Sequence, residues 1–239
     1  MMPGTMQWTL IETFLRQRLG SPMRILITLF FFSFPLLFAV FTSNLNVVQN
    51  AAGPFALILA AGAIGQDVSS GVLQLVFARP VARAEYVLAR WLACVLGAST
   101  LCALQLILAV VGIMARGGHV APLDGAALLL EDILASGAQV AIMLLLSAAV
   151  TGLGDLALYL LGLLGMQLTG MAANFKHWEV LARFVAEVQS TLSPRLDLAW
   201  IAGHGSPSFA GLALVFSTIA LGLAGAMTFL GRRELSYAD

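Results

Sequence analysis

Long apolar runs alternate with short polar breaks along almost the whole chain, and the breaks delimit the elements. At the start, Trp8, Ile11, Phe14, Leu15 and Leu19 recur at steps of three and four while Glu12, Arg16, Gln17 and Arg18 occupy other faces. That spacing predicts an amphipathic helix over about 5–20, lying in a membrane interface or, in the other reading, facing soluble surroundings. Pro22 breaks it, and a first apolar run follows over about 24–42. After the polar turn "SNLNVVQN" a shorter, Ala- and Gly-rich run covers about 51–65. Further runs are expected over about 86–114, 133–153, 156–172 and 209–230, with "GLGD" at 152–155 as a hairpin-like break and Glu131 and Asp132 at the threshold of the fourth run. Between the fifth and sixth, residues 173–208 are more polar. Within them Phe175, Trp178, Leu181, Ala182, Phe184, Val185, Val188 and Leu192 form a stripe opposed by Lys176, Glu179 and Glu187, which predicts a short helix or a re-entrant pair tucked against the membrane surface and ending near Pro194.

Composition sets the scale of this pattern. Of 239 residues, 60% are hydrophobic and 10% charged, against about a quarter charged in soluble domains. Since about 20 apolar residues cross a bilayer core, the sequence reads as an all-α polytopic membrane protein with six spans in a single domain, 1–239. The first run is too long for a signal core and lacks an A-x-A-like exit, so it is read as a retained span. With six spans, Arg16, Arg18, Arg24, Arg79, Arg83, Arg90, Arg232 and Arg233 fall on one side and Arg116, Lys176, Arg183 and Arg195 on the other. The bias places both termini inside. A net charge of zero argues against nucleic acid as partner. Cys94 and Cys102, about 12 Å apart along one helix, are beyond disulfide reach and read as packing residues.

The sequence carries no G-x-x-x-x-G-K-[ST], no G-x-G-x-x-G after a strand, no H-E-x-x-H and no C-x-x-C. The chain is therefore not expected to be an enzyme or to hold a nucleotide, a metal or another cofactor. His119, His177 and His204 are scattered in loops on the outer side. Ser147 and Thr151 lie in the fourth run without a histidine in any span to activate them. The clear span interiors read as free of ionisable groups, so the energy for any work is expected from elsewhere, and no cavity charge points to a strongly ionic cargo. Gly- and Ala-rich faces in the second and fifth runs read as close helix packing.

The exception to the apolar pattern is "GQDVSSGVLQLVFARPVARAEYVLARW" at 65–91. Val72, Leu73, Val76 and Phe77 make a small apolar face on one short helix that starts near Ser69 or Ser70, plausible N-caps, and must stop before Pro80. Arg79, Arg83 and Arg90 surround it with positive charge. Such a knob suits a groove on a soluble partner; a basic loop held by anionic lipid headgroups is the other reading.

This stretch resembles the signature loop of the type-2 ABC exporter permeases, in which an acidic residue, a Gly-Thr pair and a "lLarPvsR-x-eyvlgK" tail lead into the next span. Asp67 takes the acidic position, Gly71 the glycine, and "FARPVARAEYVLARW" the tail, with Pro80 and Arg83 as its Pro and Arg. Asp67 stands for the commoner Glu, Val72 for Thr and Arg90 for Lys. The amino-terminal helix, the six spans, the long outer segment and a "FLGRREL" exit at 229–235 agree in layout. The resemblance implies a permease subunit in a bacterial inner membrane, paired as a homodimer or a pseudo-symmetric heterodimer. Each such pair would carry two separately encoded ATPase subunits that hold ATP and Mg. It further implies that Val72, Leu73, Val76 and Phe77 touch the ATPase, that Arg79 and Arg83 supply charged contacts, and that Asp67 pairs with Arg83, Arg90 or an arginine of the amino-terminal helix. That helix, through Phe14, Arg16 and Arg18, would brace the same ATPase. The cargo is left open, with a lean toward the type linked to maturation of secreted copper enzymes or toward drug and peptide exporters. A different reading is a non-transporting scaffold that transmits ATPase motion to a periplasmic partner through 173–208, with Trp178, Phe184 and Trp200 as its working surface.

Overall fold

The computed structural model describes residues 3–49, 51–77, 82–176, 178–192, 196, 198–203 and 209–235. Among them the chain is all-helical, with ten α-helices: α1 (Pro3–Leu19), α2 (Pro22–Thr42), α3 (Ala52–Ala60), α4 (Gly65–Ser69), α5 (Val72–Phe77), α6 (Arg83–Ala115), α7 (Pro122–Ala149), α8 (Gly154–Phe175), α9 (Glu179–Leu192) and α10 (Phe209–Leu235). Two 3₁₀ turns, Leu45–Val47 and Ala199–Ala202, lie in the connections.

Six helical segments among the described residues are long and apolar enough to cross a membrane: Pro22–Thr42, Leu45–Ser69, Arg83–Ala115, Pro122–Ala149, Gly154–Ala173 and Phe209–Arg232. This is a multi-pass membrane protein. Its outer helices expose side chains that water would not tolerate in such density, among them Phe30, Phe34 and Phe41 of α2 at 61%, 64% and 70%, and such faces belong against lipid.

The middle of the bundle is α7, flanked by α3, α6 and α10, with α2 packed on α6 and α3, and α8 on α7 and α9. Close approach, not bulk, joins α10 to α7: a Cβ on Gly222 would meet the Ala141 backbone at 2.9 Å. Polar side chains join other pairs. Gln105 Nε2 donates to the carbonyls of Phe31 and Phe32 at 3.2 and 2.7 Å, and Trp91 Nε1 donates to that of Gly137 at 2.9 Å. In a membrane, where apolar contact alone does not favour protein over lipid, such contacts specify which helices pair.

Several boundaries move from their expected places. The fourth span starts at Pro122, not 133, because Pro122 sits where a helix accepts proline, in its first turn. Glu131 and Asp132 thus lie inside a helix and are buried, at 7% and 5% exposure, which corrects the expectation of uncharged span interiors. Glu131 accepts from Gln49 Nε2 at 3.1 Å and from the Leu198 N–H, tying α7 to the loops at that end. The second span is not one helix over 51–65. It stops at Ala60, turns through 61–64, where Gly62 has φ +66°, and resumes as α4. Two glycines of the fifth span do not mark close packing, since a Cβ on Gly162 or Gly165 would meet nothing within 4 Å, whereas one on Gly170 would touch Val185 of α9 at 3.4 Å. In the second run the expectation holds, with Ala52, Ala56 and Ala60 all in the core.

Candidate functional site: the broken second span and its polar latch

A helix interrupted at membrane depth frees backbone N–H and C=O groups, and these are tolerated only where protein satisfies them. The break at 61–65 is satisfied from three directions. From α1, Arg18 donates through Nη1 to the Ala61 carbonyl and through Nη2 to the Gly62 carbonyl, both at 2.8 Å. From α7, Ser147 Oγ accepts the N–H groups of Ile64 and Gly65, both at 2.9 Å. From α8, Asp155 Oδ2 accepts the Gly62 N–H at 2.6 Å, and from the turn before α8 the Gly152 N–H donates to the Gly65 carbonyl at 2.9 Å. Backbone approach here is tight enough that only glycine fits at 65: an added Cβ would stand 2.7 Å from the carbonyl oxygens of both Val150 and Gly152.

One turn further on, Asp67 and Arg90 form a salt bridge with side chains 2% and 1% exposed. Tyr86, one turn before Arg90 on the same face of α6, donates its hydroxyl to Asp67 Oδ2 at 2.6 Å. The Arg90 guanidinium also lies over the Phe14 ring, 3.5 Å from its centre, and Phe14 meets Tyr86 edge to face. Of the partners left open for Asp67, the fold selects Arg90. Burial, then the neighbouring charges of Arg90 and Arg24, push the Arg18 guanidinium down to about 10, so it remains a cation at neutral pH.

The residues singled out for partner contact divide accordingly. Asp67, Phe14 and Arg18 face inward; Phe14 and Arg18 are 6% and 3% exposed, so neither is free to brace a partner. The reason is that α1 packs on α6 with its Ile11–Phe14–Arg18 face in the core, placing Arg18 against carbonyls of the turn after α3 that need a donor. Arg16 is exposed and pairs with Glu12 at 2.8 Å. Ser69 and Ser70 do not cap α5. Both hydroxyls donate back to the Gln66 carbonyl, at 3.0 and 2.7 Å, and so close α4. Gly71 follows at φ +72° and turns the chain into α5, a geometry that disfavours a side chain. On α5, Leu73 is buried in the core and Val76 packs against it, whereas Val72 is 38% exposed. The apolar face of α5 is thus turned largely toward its own bundle. Arg83 opens α6, is exposed, and has its guanidinium beside Gly231 of α10. Arg79 and Pro80, and the side chain of Phe77, lie outside the described residues, as do His177 and His204.

The pattern of the sequence did not reveal Ser147, Asp155, Tyr86, Gln66 or Arg24 as members of one cluster. The i, i+4 spacing of Tyr86 and Arg90 was a usable signal, because two polar groups on one face of an apolar helix need a common partner. Ser147, weighed as a membrane-depth nucleophile, instead has its oxygen engaged by two backbone N–H groups.

Beside the latch a cavity of about 720 Å³ opens between α2 and α8, with α3 as its floor. Ile27, Phe31, Leu57, Ile58, Leu156 and Leu160 line it, and Arg18, Arg24 and Gln66 stand at one end. The sequence offered no cavity charge in support of a strongly ionic cargo; the fold puts two arginines on the wall of this cavity.

Among the described residues no group of three or more His, Cys, Asp and Glu is arranged to hold a metal ion. No protein-family model matches the chain, and no curated protein matches it significantly.

Proposed function

We propose that the chain is the membrane subunit of an ATP-driven exporter of the type-2 ABC class. In this reading two six-span subunits act together with two copies of a separately encoded ATPase, which holds the ATP and Mg. Both termini and α4–α5 face the cytoplasm of a bacterium, and the cargo leaves across its inner membrane. The observation that carries the reading is the mechanical connection of α5. A short helix with an exposed Val72 hangs from Gly71 on α4, and α4 is rooted by Asp67 to Arg90 of α6. A partner that displaces α5 therefore loads α6 through a buried ion pair, and α1, α7 and α8 through the hydrogen bonds of 61–65. Packed elements joined this way switch between discrete arrangements, which is what coupling to nucleotide turnover requires.

Charge agrees in direction. Arg16, Arg24, Arg83 and Arg232 lie at the end of the bundle that carries α4–α5, and Arg116, Lys176 and Arg183 do not. With Arg18 and Arg90 engaged internally, the surface bias is narrower than the eight-to-four count, but it keeps its sign.

Co-expression with the ATPase encoded beside it, followed by purification into nanodiscs, tests the proposal. Native protein co-purifies with the ATPase and hydrolyses ATP. Val72→Asp, at an exposed position that leaves the bundle intact, abolishes assembly. Leu73 is not a docking probe, since its substitution would disturb the core. Assembly and turnover unchanged in Val72→Asp, or no assembly by the native chain, would overturn the proposal.

A further inference from the structure

We infer that the groove between α2 and α8 is a binding site for one anionic phospholipid, its phosphate on Arg24 beside the buried Arg18 guanidinium and one acyl chain along the apolar channel. The inference does not depend on a partner ATPase.

Three observations point to this occupant. The first is size and shape: about 720 Å³, open toward the lipid-facing side between two exposed helices, falls within the range of small-molecule sites. The second is the distribution of polarity. The apolar lining runs along α2, α3 and α8, and the polar groups collect at the one end where the latch begins, a pattern that matches a headgroup and a tail. The third is charge. Arg24 spends Nη2 on the Ala61 carbonyl and Gln66 Oε1, both at 3.3 Å, and no carboxylate lies within ion-pair distance of Arg24 or Arg18 among the described residues. Arg18, 3% exposed and lining the cavity, has a buried Nε with no hydrogen-bond partner. Two guanidinium groups beside an apolar channel call for an anion that brings its own tail.

A second copy of the chain answers this less well. Its two most exposed spans, α2 and α8, contain one carboxylate between them, Asp155, and that one is buried on Gly62 and the Leu156 N–H. Either of these spans from another copy laid into the groove would leave both arginines unneutralised, whereas an anionic lipid neutralises them.

The test is retention of lipid by the full chain in native mass spectrometry, after exchange into equimolar dioleoylphosphatidylglycerol and dioleoylphosphatidylcholine. The native chain is expected to hold one phosphatidylglycerol per subunit, about tenfold over phosphatidylcholine, as a charge-assisted contact predicts. Arg24→Gln loses the preference and Arg24→Lys keeps most of it; Arg24 is only half-buried, so both variants fold. Leu57→Trp, which fills the channel, lowers retention of both lipids. Equal retention of the two lipids by the native chain would overturn the inference, as would an undiminished preference in Arg24→Gln. A Leu57→Trp variant that turns a dimer into a monomer with lipid retention unchanged would also overturn it and assign the groove to a second copy.

Discussion

Arg90→Met leaves Asp67 buried with the Tyr86 hydroxyl as its remaining partner and removes the cation from the face of Phe14. Breaking a buried pair from one side costs about 3–5 kcal/mol, because the surviving charge is stranded away from water. The guanidinium stacked on Phe14 contributes up to about 2 kcal/mol more. For a chain of this size each kcal/mol moves Tm by about 2–4 °C, so the single variant is expected to melt on the order of 10 °C below the native protein in matched nanodiscs. Asp67→Leu strands Arg90 instead, with Gln17 Oε1 at 3.5 Å among its remaining side-chain acceptors, and should cost a similar amount. The double variant Asp67→Leu with Arg90→Met removes both charges and fills the space with apolar atoms. Such replacements are often neutral, so most of the lost Tm should return. The assay is a thermal melt followed by intrinsic fluorescence on all four proteins. A double variant as unstable as the sum of the singles would refute the reasoning, since it would show that the two residues do not act as a pair.

Ser147→Ala removes the acceptor of two buried N–H groups, Ile64 and Gly65, at about 1–3 kcal/mol for each group left unpaired. Hydrogen exchange should rise at those two amides and stay unchanged in α10; protection kept at both would sink the assignment. Gly65→Ala places a methyl 2.7 Å from two carbonyl oxygens, and since backbone rather than a flexible side chain must yield, Tm should fall further than for Gly53→Ala, where a Cβ meets nothing within 4 Å. Equal melts for the two alanine variants would show that the α3–α4 break does not press on 150–152.

The class of the protein was legible from runs of apolar residues. Six stretches near the length of a bilayer, separated by polar turns, admit few other solutions, because backbone polar groups in lipid must be satisfied within helices. The amino-terminal helix, the turn after α7 and the amphipathic α9 were legible for the same reason: each has a local pattern of period 3.6 or a local helix breaker. What misled was also local. Pro22 read correctly as a break but also opens α2, and Pro122 likewise starts α7 well before the apolar run becomes dense.

The amphipathic pattern of α1 put Arg18 with the exposed polar residues, yet it is buried, because carbonyl groups freed by a turn more than forty residues away require it. Asp67 and Arg90 were both visible in the sequence, and their pairing was one of several possibilities until packing of α4 on α6 made it the actual one. By itself, then, the sequence determined a six-span helical membrane protein with a charged interruption after its second run, because bilayer thickness and helix period act on short stretches. Only the tertiary structure decided that the second span is broken, that three other helices hold the break closed, and that two arginines are left facing an apolar groove. Those features depend on which groups become neighbours across long separations, and hydrogen-bond satisfaction at a helix break is a property of neighbours.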